Sequence, residues 1–99
     1  TKLSASKREA LLQESIRDYT KGITLNDQDV KLFQNRAIAY RDMGILKGTA
    51  GTANYDKSAA VDAYTHSISD FEKVLVFFPG RKDIETEIKK AKVYRDNMK

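Results

Sequence analysis

The 99-residue chain is basic overall but mixes both charges, with 18 Lys and Arg against 14 Asp and Glu and a net charge of +4. This length predicts one domain with one modest core, which leaves little volume for a deep catalytic cavity. With 40% hydrophobic and 32% charged residues, the composition is typical of a soluble, helix-rich protein. The absence of Cys excludes a disulfide framework and a thiolate metal site, and it leaves the compartment open, with the cytoplasm favoured.

The first two helices are predicted from apolar and small residues that recur at helical spacing. The first helix covers residues 4–25 and the second covers residues 28–47. Between them Asn26 or Asp27 can cap the second helix, and Asp29 adds a negative charge near its positive end. The second helix carries on one face Val30, Phe33, Ala37, Tyr40 and Gly44.

The third and fourth helices are predicted over residues 54–78 and 82–97. Asn54 is the expected N-cap of the third helix, and Pro79 ends it. The longest apolar run, at 74–78, is far shorter than the roughly 20 residues that span a membrane, so no span is predicted. No stretch alternates with period two for long enough to form a strand. The chain is therefore predicted to be all-α, with four antiparallel helices joined by short connections.

One internal repeat is present in the sequence, at an offset of 52 residues from Ser15 to Ser67. Residues 15–21 read SIRDYTK and residues 67–73 read SISDFEK, so Ser, Ile, Asp, an aromatic residue and Lys recur in the same places. Self-similarity of this kind is typical of helical repeat proteins.

Two sets of residues have the spacing found in the two helices of a known helical repeat. The set that fits the first helix of that repeat consists of Phe33, Ala37, Tyr40 and Gly44. The second helix of the repeat is matched by Ser67, Ile68, Phe71, Val74, Leu75 and Pro79. With these residues the chain resembles the tetratricopeptide repeat (TPR) family over most of residues 12–80. The resemblance implies a hairpin in which Ala37 and Ser67 let the backbones approach, while Tyr40 and Phe71 face each other beside them.

The chain departs from this family in its period and in its extent. The family repeats about every 34 residues, so about 18 extra residues lie between Gly44 and Tyr64. We expect them to lengthen both helices and to place GTAGTAN (48–54) at the tip as a flexible turn. Residues 1–99 then form a single TPR-like domain with one complete repeat, one preceding helix and a capping helix. We expect either a fragment of a longer protein or a homo-oligomer that pairs through the exposed flank of the first helix.

The chain offers few groups for catalysis or metal binding. His66 is the only His, and a zinc site would need several ligands at fixed spacing. The serines beside it point elsewhere around the helix, so no nucleophile and base are paired. The carboxylate pairs Asp70/Glu72 and Asp83/Glu87 have Lys or Arg nearby and are expected on solvated faces. We therefore predict no enzymatic activity, no cofactor and no metal site.

Two further segments have some features of sites for phosphate or nucleic acid. GTAGTAN lacks the Lys-Ser/Thr of a phosphate-binding loop and lies between two helices. The basic segment KKAKVYR (89–95) shares its helix with several acidic residues, and Glu85 and Lys89 can form a favourable i,i+4 pair. We therefore expect a salt-bridged outer face there, and nucleic acid is not the predicted partner.

A partner-binding face follows from the family resemblance. In TPR proteins the first helices line a concave surface that binds peptides. Carried over by position, this face presents Lys31, Gln34, Asn35, Ile38 and Arg41. Two cations, two amides and one aliphatic side chain suit a peptide that carries carboxylates. The predicted function is a non-enzymatic scaffold that binds a peptide or a partner protein. The alternative is a structural, self-assembling helical module that dimerises through its exposed flank.

Overall fold

The computed structural model describes residues 4–98, which form four α-helices in chain order. These helices are α1 (Ala5–Leu25), α2 (Val30–Lys47), α3 (Lys57–Phe77) and α4 (Lys82–Met98). No strand occurs within residues 4–98, so the predicted all-α class is confirmed. Each helix packs against its neighbours in the chain, α1 on α2, α2 on α3 and α3 on α4. None of these four helices has the length and hydrophobicity needed to cross a membrane.

The second helix begins two residues later than predicted and has a different cap. Asp29 caps α2 by accepting a hydrogen bond from the backbone N–H of Lys31 at 3.1 Å. The prediction of Asn26 or Asp27 as the cap is therefore wrong. The Asn26 side chain instead accepts a hydrogen bond from the backbone N–H of Gln28 at 3.1 Å. This contact stabilises the turn between α1 and α2, because Asn readily bonds the backbone two residues on.

The connection between α2 and α3 is joined to α1 by side chains. Asp56 caps α3 by accepting a hydrogen bond from the Ala59 N–H at 3.0 Å. The prediction of Asn54 as the cap is wrong, because a cap must directly precede the first helical residue. The Asn54 amide instead donates to Glu9 Oε1 on α1 at 2.8 Å, and Lys47 Nζ lies 2.7 Å from the same oxygen. One carboxylate of α1 thus positions both sides of the turn.

The α2 and α3 backbones approach closely where both helices carry small residues. Ser67 Oγ donates a hydrogen bond to the Ala37 carbonyl oxygen at 2.7 Å, and both residues are fully buried. The predicted contact between Ala37 and Ser67 is confirmed. About two turns further along α2, the Tyr64 ring lies against Gly44, where a Cβ would come within 2.9 Å of it. Small residues therefore set the spacing of these two helices.

Only one of the two aromatic side chains expected to face each other enters the core. Phe71 is buried in the main cluster with Phe33. Tyr40 is half-buried, and its ring stacks on that of His66 with 4.9 Å between centroids. In an antiparallel pair aligned at the Ala37–Ser67 contact, Tyr40 and Phe71 lie one turn away in opposite directions, which explains the different partners. His66 is exposed as predicted, and it covers one face of Tyr40.

A partly buried ion pair connects α2 and α3. The Arg36 guanidinium donates two hydrogen bonds to the Asp70 carboxylate, at 2.7 and 2.8 Å, and a third to Thr20 of α1 at 3.2 Å. Hydrogen bonding to Asp70 raises the pKa of Arg36. Glu72 is exposed as expected, but the prediction that Asp70 lies on a solvated face is wrong. Asp70 tolerates burial because bidentate pairing compensates its charge.

Candidate functional site

A groove between α1 and α2 is open to solvent along the side of the molecule that carries α1. It consists of two adjoining cavities of about 350 and 200 Å³ that share Leu12 and Asp42. The larger one is lined by Arg8, Leu11, Leu12, Asp42, Ile45, Leu46 and Thr49. The smaller one is lined by Leu12, Ser15, Tyr19, Asn35, Ile38, Ala39 and Asp42. We call these residues together the α1–α2 groove.

The larger cavity of the groove is mostly apolar. Its floor includes Leu46, which is buried in a small cluster against which Leu12 packs. Leu11 and Ile45 line the same cavity, yet they remain 50% and 48% exposed. Both side chains can therefore bury further apolar surface against another molecule without any rearrangement of the core. This surface is open because α1 packs chiefly on α2 and no other helix within residues 4–98 covers it. As a result no residue within Ala5–Leu25 is fully buried.

Charged groups lie at the rim of the same cavity. Arg8 of α1 and Asp42 of α2 both line it. The Asp42 carboxylate already accepts hydrogen bonds from Arg41, at 3.1 and 3.3 Å. Asp42 can still accept a further hydrogen bond, because a carboxylate offers several lone pairs. The rim thus supplies one donor and one acceptor beside an apolar floor.

The structure separates the five residues of the predicted peptide-binding face. Asn35 and Ile38 line the smaller cavity of the groove, and Lys31 is exposed nearer the start of α2. Gln34 is half-buried and lines neither cavity. Arg41 faces α4 and donates to Glu87 at 3.2 Å. Two of the five residues therefore belong to the groove.

The charge of Arg41 is compensated within the protein. Burial opposes its charged form, but hydrogen bonds to Asp42 and Glu87 outweigh this effect and raise its pKa. A guanidinium held by two carboxylates is a weak receptor for a third. The expectation that Arg41 offers a free cation to a peptide carboxylate is therefore not supported by its contacts.

Leu11 and Ile45 are not among the site residues predicted from the sequence. The spacing of residues in α1 indicates a common face that includes Leu11. Steps of three or four residues connect Arg8, Leu11 or Leu12, Ser15 and Tyr19. The same spacing extends from Ile38 through Asp42 to Ile45 on α2. The predicted face ends at Arg41 because it corresponds to the peptide-binding face of TPR proteins, whereas the apolar stripe of α2 continues to Ile45.

The groove holds no recognisable catalytic constellation. Within residues 4–98 no group of three or more His, Cys, Asp or Glu side chains could hold a metal ion. Its polar groups are an arginine, an aspartate, an asparagine and hydroxyl side chains around apolar residues. This arrangement is suited to binding, with apolar contact supplying affinity and the polar groups fixing orientation.

Comparisons of this chain with protein-family models, with curated protein sequences and with solved structures find no match.

Proposed function

We propose that this protein is a non-enzymatic, TPR-like scaffold whose α1–α2 groove binds an apolar segment of a partner protein. The observation that carries the proposal is the exposure of Leu11 and Ile45 in one cavity of about 350 Å³. Covering apolar surface contributes about 25 cal/mol per Å² removed from water. A peptide that places an aliphatic or aromatic side chain in this cavity covers apolar surface on both Leu11 and Ile45, and each covered area adds to the binding free energy.

The polar residues of the groove restrict which segment can bind. Asn35 lies at one end and Arg8 at the other, so they can bond peptide amides, carbonyls or a carboxylate along the groove. Ile38 adds a second apolar contact beside Asn35. Lys31 stays the predicted site for an acidic side chain, because it is exposed and has no ion-pair partner within residues 4–98. The expected ligand is an amphipathic segment with apolar anchors and flanking carboxylates.

Selection from a displayed random-peptide library tests this proposal. We expect peptides rich in apolar anchors to be selected by the wild-type chain. Leu11→Glu and Ile45→Glu should each weaken the selected peptides by about tenfold or more, because a buried aliphatic side chain contributes roughly 1.5–3 kcal/mol. Fluorescence anisotropy with one labelled peptide gives the dissociation constants.

Val76→Glu is the matched control. Val76 is an exposed aliphatic residue in α3 that lines neither cavity of the groove, so this change alters charge and hydropathy equally without touching the site. Its peptide affinity should equal that of the wild type. Equal weakening by Val76→Glu and Leu11→Glu would refute the groove as the binding site.

The second candidate function is self-assembly through the same surface. It is favoured by α1, which has no fully buried residue and leaves its apolar side open. In that case sedimentation equilibrium should show a dimer, and Leu11→Glu should convert it to a monomer. A wild-type chain that stays monomeric across the concentration range excludes this alternative and leaves the peptide-binding proposal standing.

A further inference from the structure

A second surface, separate from the α1–α2 groove, lies on the outer side of α4. A cavity of about 250 Å³ is lined there by Thr86, Lys89, Lys90, Val93 and Tyr94. We call these five residues the α4 stripe, because their spacing of three or four residues places them along one side of the helix. The opposite side of α4 is buried against the core through Ile84, Ile88 and Ala91.

The C-terminal end of the α4 stripe is apolar and exposed. Val93 is 57% exposed and Tyr94 is 46% exposed. The Tyr94 ring packs against Tyr64 of α3, with 5.9 Å between centroids. Contact with a buried side chain limits the positions that Tyr94 can adopt. A ligand therefore meets a pre-positioned aromatic surface and loses little entropy in ordering it.

The charged residues that line the cavity of the α4 stripe are positive. Lys89 and Lys90 line the cavity, and no carboxylate from the described part of the chain does so. Lys90 is paired only loosely, since its Nζ lies 3.9 Å from Glu87. Lys89 takes part in none of the ion pairs among residues 4–98, so its predicted pairing with Glu85 is not formed. Two lysines next to exposed apolar side chains complement a ligand that is both acidic and apolar.

We propose that the α4 stripe binds an acidic amphipathic helix of a partner protein. One apolar side chain of that helix covers Val93 and Tyr94, and carboxylates on its flanks pair with Lys89 and Lys90. An acidic helix fits better than nucleic acid, because Glu85 lies close to the stripe on α4. A continuous phosphate backbone would meet this carboxylate, whereas a helix can place its carboxylates at the lysines alone.

The proposal is tested with a labelled synthetic helix of about 18 residues, or five turns. It carries Leu along one face and Glu on both flanks, and a second version carries Gln in place of Glu. We expect the acidic version to bind about tenfold more tightly, and its affinity to fall as salt is raised, because exposed charges are screened. Absence of binding by the acidic helix would overturn the proposal.

Variants of α4 locate the binding site. Lys89→Glu combined with Lys90→Glu should weaken the acidic helix about tenfold or more, since each attraction becomes a repulsion. Val93→Ser should weaken both versions of the peptide. The matched control combines Lys21→Glu with Lys57→Glu, which makes the same change in net charge at exposed residues of α1 and α3. Equal weakening by this control would mean that only net charge matters, and the proposal would fail.

Two further measurements exclude other ligands and the other surface. A single-stranded DNA oligonucleotide that binds more tightly than the acidic helix, and loses affinity in the Lys89/Lys90 variant, would replace the proposal with a nucleic-acid site. Because the α1–α2 groove also accepts apolar anchors, the Lys89 and Lys90 changes are repeated in a chain that carries Leu11→Glu, where they should still weaken the acidic helix about tenfold. Complete loss of binding in Leu11→Glu alone would place the peptide in the α1–α2 groove instead. Because the two surfaces are tested by different variants, failure of one proposal leaves the other unaffected.

Discussion

The two copies of the internal repeat lie in very different surroundings. In α3 the copy at residues 67–73 buries its Ser, Ile, Asp and aromatic residue in the protein. In α1 the copy at residues 15–21 buries none of its residues fully, and its Asp is exposed. Two segments with the same pattern thus differ in burial, since the matching Ser, Ile, Asp and aromatic positions are buried in α3 and only half-buried or exposed in α1.

The difference arises from the number of neighbouring helices. The α3 helix lies between α2 and α4, whereas α1 packs chiefly on α2. A repeat motif therefore determines which face of a helix is apolar, while the neighbours decide how much of that face is covered. The uncovered part of α1 is one wall of the α1–α2 groove, which is why the first copy leaves more of its surface exposed.

The largest expected difference between the two copies lies at the aromatic position. Phe71→Ala should lower the free energy of unfolding by about 3–5 kcal/mol, because it leaves a cavity in the main core. Tyr19→Ala should cost about 1 kcal/mol or less, since Tyr19 is only half-buried at the groove. Urea denaturation of both variants measures the difference. Equal losses would mean that α1 is as well covered as α3 in solution.

The aspartates should differ next. Asp70→Asn removes the charge that Arg36 pairs with through two hydrogen bonds, and we expect a loss of about 2–3 kcal/mol. This is below the full value for a buried pair, because the Arg36 side chain stays 18% exposed. Asp18→Asn should change stability by less than about 0.5 kcal/mol. A neutral result at Asp70 would show that the ion pair is offset by its desolvation.

The serines should differ by a smaller amount. Ser67→Ala removes the hydrogen bond to the Ala37 carbonyl oxygen inside the interface, and we expect a loss of about 1 kcal/mol. Ser15→Ala should be neutral or slightly stabilising, because Ser15 is half-buried in the groove and Ala is the better helix former. Thermal unfolding of the two variants gives the comparison. A destabilised Ser15→Ala would indicate a contact of Ser15 that the structure does not contain.

The smallest expected effect concerns the attachment of α1 to the turn before α3. Hydrogen bonds from Lys47 and Asn54 lower the pKa of Glu9 below its ordinary value of 4.5. A carboxylate whose pKa is depressed by folding stabilises the fold above its unfolded-state pKa and loses this contribution as the pH falls through its folded pKa. The contribution is about 0.5 kcal/mol, since the group lies near the surface.

Glu9→Gln tests this pH dependence. The variant should be less stable than the wild type at pH 7, and the two should converge as the pH is lowered below 4.5 and through the depressed pKa of Glu9. Chemical denaturation at each pH measures the gap, and hydrogen exchange of α1 amides reports whether the loss is local. A gap that stays constant with pH would rule out the Glu9 charge as its source.

Much of the fold was predictable from the sequence, and much less of the site was. The helix boundaries followed from apolar periodicity to within a few residues, as at Leu25 and Lys47, although both predicted N-caps were wrong. The Ala37–Ser67 contact followed from the repeat resemblance and is present. The pairing of Arg36 with Asp70 was missed because the partners are 34 residues apart, and no local pattern connects them. The pairing of Arg41 with Glu87 was missed for the same reason, since it depends on how α4 packs against α2. Arg41 was therefore wrongly expected to be free for a ligand.

The sequence by itself determined that this protein is helical and where its helices lie. These features depend on interactions between residues a few positions apart, which a single chain segment already contains. Only the tertiary structure decided that Asp70 is buried while Asp18 is exposed, and that Leu11 and Ile45 share one cavity. Burial is a property of neighbouring helices, and a motif in one helix does not encode how many neighbours it has.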